Sequence, residues 1–184
     1  PKANAMLLRG FAKHRPYKSM LERYKLKTLA IANYPMYRGV AFLLNMDLHP
    51  VTADIKSEFE AVAQNYDKYD FFFVHVKPTD STGEDGDFDA KVKVIEQVDA
   101  LIPILTSLNP DVFVVTADHS TPSVMKAHSW HPVPVLLHSK YCRTDNVTKF
   151  DEISCIQGGL GRMASMQLMP VILANAQRLM KYGA

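Results

Sequence analysis

The chain has 184 residues, 47% of them hydrophobic and 22% charged, with a formal net charge of +2. That length suits a single domain with an ample core, and a charge so near neutral argues against nucleic-acid binding through bulk electrostatics. No apolar run approaches a membrane span and no signal-peptide pattern opens the chain. Cys142 and Cys155 fit reduced thiols better than a disulfide framework, so a cytoplasmic protein is expected.

Residues 1–26 open with Met6-Leu7-Leu8-Arg9-Gly10 and continue as a polar, basic segment. Residues 26–33 (LKTLAIAN) predict a short strand, followed by a loop at 34–39 (YPMYRG) that carries Pro35 and Gly39. Residues 43–50 form a boundary without a clear element. From Thr52 the pattern turns helical, with Ile55, Phe59, Val62 and Ala63 on one face and Thr52 or Asp54 as the cap. Residues 69–76 (YDFFFVHV) predict a strand buried on both faces. A loop rich in acids and glycine follows at 77–87. Phe88, Val92, Ile95, Ile102 and Leu105 then predict a helix whose last turn is kinked by Pro103. The apolar run 112–115 predicts a strand that ends in Thr116-Ala117-Asp118-His119, and a further strand is expected at 133–138. Residues 147–161 read as a loop punctuated by glycines, and a final amphipathic helix is expected over about 166–180. Strands alternating with helices predict an α/β class with a mostly parallel sheet flanked by helices.

Two loops that follow predicted strands carry chemistry. The first holds Asp80 and Glu84, with Asp85 and Asp87 beyond; the second holds Asp118, His119 and His128. Parallel neighbouring strands would bring both loops to one sheet edge. Mixed carboxylate and imidazole donors suit Mn²⁺, Zn²⁺ or a related divalent ion. Two such ions about 3.5–4 Å apart clamp the attacking and leaving oxygens of a phosphoryl transfer. On pattern alone the acidic loop reads as a solvated turn, with Asp87 capping the next helix. Asp118-His119 reads equally as a metal site or as a structural turn. Arg9-Gly10 and Arg38-Gly39 could contact an anion through the guanidinium fork, although surface charge is the plainer reading of scattered arginines.

The ordered motifs go further. Thr116-Ala117-Asp118-His119-Ser120-Thr121-Pro122, then Ala127-His128-Ser129 and Pro132-Val133-Pro134, resemble the cofactor-independent phosphoglycerate mutases, archaeal type, of the alkaline phosphatase superfamily. Phe73-Val74-His75-Val76-Lys77 leading to Asp80 and Gly83 is similar to that family's preceding metal loop. Gly158-Gly159-Leu160-Gly161-Arg162-Met163 and Leu168-Met169-Pro170 resemble its ending.

The resemblance implies two divalent metals, Mn²⁺ first with Zn²⁺, Co²⁺ or Mg²⁺ as alternatives, and no organic cofactor. It also implies a transiently phosphorylated serine during exchange of 2- and 3-phosphoglycerate in glycolysis and gluconeogenesis. Position by position, Asp118 and His119 match ligands of one metal and Asp80 and His128 ligands of the other. Arg9 and Arg38 match substrate contacts.

Two departures stand out. Glu84 occupies the position where the family has His, which would add negative charge and favour a harder metal, or else Glu84 turns away and that metal binds weakly. No equivalent of the nucleophilic serine is found, and Ser81, Ser120, Ser123 and Ser129 do not match it. The chain is therefore expected to be the C-terminal portion of a longer enzyme, inactive as a fragment alone. Residues 1–47 would be the end of an inserted substrate-binding domain and the crossover, and 48–184 part of the metal-binding phosphatase-like domain. The expected partner is a small-molecule substrate, with no nucleic acid and no membrane. The alternatives are another phosphomutase or phosphatase of the superfamily, or an inactive metal-binding relative.

Overall fold

The computed structural model describes residue 13 and residues 15–179. In order these form α1 (Met20–Tyr24), β1 (Thr28–Ala32), α2 (Pro35–Leu43), β2 (Asp47–Leu48), α3 (Ile55–Asn65), β3 (Phe71–His75), α4 (Pro78–Asp85), α5 (Phe88–Thr106), β4 (Val112–Val115), β5 (Leu136–Ser139), α6 (Glu152–Cys155) and α7 (Leu168–Asn175). Among these residues no helix is long and apolar enough to cross a membrane. The chain divides into two compact units: residues up to Val51 with Asp67–His75, and Thr52–Tyr66 with Val76 onward. The expected division between 47 and 48 falls inside β2.

The α/β class with a mostly parallel sheet holds. In the first unit β1 is central, parallel to β2 on one side and to β3 on the other. All five residues of β1 are buried, and Ile31 completely so. Each large aliphatic group in such a position contributes about 1.5–3 kcal/mol through burial. Strand β3 was expected to be buried on both faces, but it is only half-buried throughout, because the order β2-β1-β3 places it at an edge. Helix α1 opens with a capping box in which Ser19 accepts from the Glu22 N–H and Glu22 accepts from the Ser19 N–H. Helix α2 replaces the loop expected at 34–39. Its Pro35 stands at the first helical position, where no intrahelical donor is needed.

In the second unit Asp54 caps α3 by accepting from the Ser57 N–H at 2.7 Å, and α3 packs beside α5. Ile55, Phe59 and Val62 are buried as expected, whereas Ala61 rather than Ala63 completes the buried face. Glu58 shares that buried face. Burial, with the Asp54 charge, pushes its carboxyl up to about 7. A raised carboxyl favours the folded state while it is protonated, so this contribution is lost as pH rises from about 4.5 toward 7. We expect Glu58→Gln to match the wild-type melting temperature near pH 4 and to exceed it at pH 8, as read by thermal melts at both pH values.

The acidic loop expected at 77–87 is instead α4. Pro78 starts this helix, and Gly86 ends it in the left-handed conformation at φ 75°. Asp87 caps α5 by accepting from the Ala90 N–H at 2.9 Å. Pro103 lies inside α5, which continues to Thr106. Strand β4 pairs antiparallel with β5, not with a parallel neighbour, in the register Val112 to Ser139 through Val115 to Leu136. The segment expected to be a loop at 147–161 contains α6, capped by Asp151. The final helix runs only over 168–175 after a 3₁₀ turn at Ser165–Gln167, with Leu173 buried and Leu179 exposed. Met180 lies outside the described residues.

Candidate metal centre

Helix α4 and the segment after β4 converge within the second unit. Asp80 and Glu84 lie one turn apart on α4. Asp118 and His119 follow β4 directly. The chain then folds back, so that the Ser129 N–H donates to the Ser120 carbonyl at 2.9 Å in an isolated bridge. That bridge brings His128 beside His119, with ring centroids 3.8 Å apart. Asp80, His119 and His128 each present a ligand atom within 4.8 Å of the others.

The finer geometry sorts the five acids and imidazoles. His128 Nε2 lies 3.6 Å from Asp80 Oδ1 and 3.5 Å from Glu84 Oε1. His119 Nε2 lies 3.4 Å from Asp118 Oδ2. Between these groups stands Thr121, only 4% exposed. Its hydroxyl donates to Asp80 Oδ1 at 2.6 Å and lies 3.0 Å from His119 Nδ1. The Lys77 ammonium donates to Asp80 Oδ2 and lies 3.9 Å from Glu84 Oε2.

Burial acts to raise the Asp80 carboxyl. The hydrogen bonds from Lys77 and Thr121, with the charge of Lys77, outweigh that effect and hold it below the usual carboxylate value. Asp80 is therefore an anion at neutral pH. Lys91 donates to the Thr121 carbonyl at 2.7 Å. Burial lowers its ammonium, opposed by the charges of Asp80 and Glu152.

This donor chemistry fits a divalent cation. Two imidazoles and an ionised carboxylate converge, with two more carboxylates, Glu84 and Asp118, at the imidazole edges. Glu84 and Asp118 are nearly half exposed and Asp80 is much less so. All five predicted metal-ligating residues are thus brought together.

The two predicted arginines are placed differently. Arg9 lies outside the described residues. Arg38 belongs to the first unit, where its Nη1 donates to the carbonyls of Ala32 and His49 at 3.0 and 2.7 Å, tying the end of β1 to the chain just after β2. Lys77, Gly83 and Thr121 went unrecognised at the sequence level. The spacing of Lys77 three residues before Asp80 was a readable signal for an ion pair. For Gly83 and Thr121 the signal was only their place inside the two motifs.

Convergent carboxylates and imidazoles on an α/β scaffold are the donor set of a candidate metal-binding site. The chain belongs to the Metalloenzyme superfamily, whose family profile matches residues 8–175. It is 51% identical over its full length to a protein of Thermosipho africanus named a probable 2,3-bisphosphoglycerate-independent phosphoglycerate mutase, covering 46% of that protein. A Thermus thermophilus protein of the same name is 47% identical, again over the whole chain and 46% of the relative. Among solved structures, a Pyrococcus horikoshii protein matches 91% of this chain and 46% of its own, with TM-score 0.86 and 29% identity. The cofactor-independent phosphoglycerate mutase of Thermoplasma acidophilum matches 87% of this chain and 39% of its own, with TM-score 0.71 and 25% identity. The chain spans about half the length of the curated relatives it matches.

Proposed function

We propose that the protein to which this chain belongs interconverts 2-phosphoglycerate and 3-phosphoglycerate, a step of glycolysis and gluconeogenesis, in a metal-dependent reaction through a phosphoserine. In this reading the serine lies outside the chain. The observation that carries the proposal is the convergence of Asp80, His119 and His128, edged by Glu84 and Asp118. The chain's likeness to relatives named as such mutases supports it.

Asp80, Glu84 and His128 would hold one divalent ion and Asp118 with His119 the other. Mn²⁺ is the proposed metal, because a set rich in carboxylates favours a hard cation. A bound ion there supplies positive charge for phosphate oxygens and for the attacking hydroxyl. The chain's own residues supply the rest of the arrangement. Lys77 offsets the charge that Glu84 adds. Thr121 and Lys77 keep Asp80 ionised. Arg9 and Arg38 are proposed contacts for phosphate or carboxylate, with Nη1 of Arg38 already serving the two carbonyls.

The test is turnover of 3-phosphoglycerate by the full natural protein with added Mn²⁺, followed through a coupled assay for 2-phosphoglycerate. Activity that disappears on chelation and returns with Mn²⁺ is expected. A well-folded, metal-loaded protein that leaves 3-phosphoglycerate untouched would overturn the assignment in favour of an inactive or differently specific relative.

A further inference from the structure

Thr121 has a position that neither the carboxylates nor the imidazoles explain. Its side chain is buried among charged groups, where a hydroxyl is ordinarily hydrogen-bonded. A threonine hydroxyl has one proton and two lone pairs. The proton goes to Asp80 Oδ1, at 2.6 Å the shorter contact and one to an anion. The 3.0 Å contact with His119 Nδ1 then requires the imidazole to donate to the hydroxyl oxygen. His119 therefore carries its proton on Nδ1, and the lone pair sits on Nε2, the nitrogen 3.4 Å from Asp118.

We propose that Thr121 is a positioning residue that ties the two donor sets together: one hydroxyl orients Asp80 on α4 and selects the His119 tautomer whose Nε2 faces Asp118. This rests on the metal-centre reading of the proposed function. Its chemistry is the general one by which a partner on the far nitrogen of a ligating histidine orients the ring and sets the tautomer. The backbone of Thr121 reinforces the role, because its carbonyl accepts from Lys91 and abuts Gly83 of α4. Both donor sets are thus referred to one residue, whose hydroxyl meets Asp80 and His119 and whose carbonyl meets Lys91 and Gly83.

The test compares wild type, Thr121→Ser and Thr121→Val in the full natural protein, titrated with MnCl₂ alone by calorimetry. Imidazole ¹⁵N shifts of His119 are read before metal is added. Wild type and Thr121→Ser should show Nδ1–H and bind Mn²⁺ within about threefold of each other. Thr121→Val should lose roughly 10–100-fold in affinity, the cost usual for removing such a partner, and should move the His119 proton toward Nε2. Unchanged Mn²⁺ affinity in a folded Thr121→Val would overturn the proposal, as would a failure of serine to preserve binding. If the valine variant does not fold, the wild-type shifts decide alone: an Nε2–H tautomer refutes the assignment and an Nδ1–H tautomer supports it. None of these readouts needs phosphoglycerate turnover, so a failure of the mutase assignment would be seen separately.

Discussion

Asp80→Ala is expected to lower Mn²⁺ affinity by more than about 100-fold and to abolish turnover in the full protein. The lower bound follows from magnitudes. Removing a partner that only orients a ligand already costs roughly 10–100-fold, and Asp80 is proposed as a ligand itself. It also anchors its surroundings, since Lys77 donates to one of its oxygens while Thr121 donates to the other, with His128 Nε2 3.6 Å from that second oxygen. Leaving the buried Thr121 hydroxyl without its acceptor adds a stability cost of about 1–3 kcal/mol. Calorimetric titration with MnCl₂ and a thermal melt of the metal-free protein check the two effects separately. Wild-type affinity in a folded Asp80→Ala protein would remove Asp80 from the metal centre.

Gly83→Ala should destabilise the protein by about 1–3 kcal/mol and weaken metal binding as well. Helix propensity taken alone predicts the opposite sign, because Ala is favoured over Gly inside a helix by about 0.5–1 kcal/mol. Packing decides the matter. A Cβ at Gly83 would lie 2.3 Å from the Thr121 carbonyl oxygen, a backbone atom that cannot swing aside, and 2.9 Å from Lys91 Nζ. Helix α4 must therefore move away from the segment after β4, at the cost usual for overpacking. Asp80 and Glu84 ride on the same helix, so the shift carries them off His119 and His128. A melting temperature equal to or above wild type would show that the close approach is not retained in solution.

Much of the fold could be read from local pattern. The strand at 28–32 and the helices at 55–65 and 88–106 follow from apolar periodicity, and Asp54 and Asp87 cap the helices as expected. Two of the errors are alike: the segments that hold Pro35 and Pro78 are expected as loops, yet both prolines open helices, where a missing N–H costs nothing. For α4 the acids and glycine reinforced the misreading. Gly83 within that helix is there for close approach to Thr121, which no local pattern announces. The ladder partner of β4 was likewise beyond local reading, because a four-residue apolar run does not specify the direction of its neighbour.

The candidate centre divides along the same line. The residue types of Asp80, Glu84, Asp118, His119 and His128, and their places beyond β3 and β4, were legible from composition, spacing and family likeness, because ligand chemistry is written in side-chain identity. Their convergence was expected from parallel neighbouring strands, but β4 pairs antiparallel with β5 and the convergence has another origin. It depends on the Ser120–Ser129 bridge that folds His128 back onto His119, on the one-turn spacing of a helix where a loop was expected, and on the hydroxyl of Thr121 between Asp80 and His119. Of these, the bond from Thr121 to Asp80 joins residues 41 positions apart in the chain and links α4 to the segment after β4. Only the packed tertiary structure brings them within hydrogen-bonding distance, and that packing turns a set of plausible ligands into a single cluster.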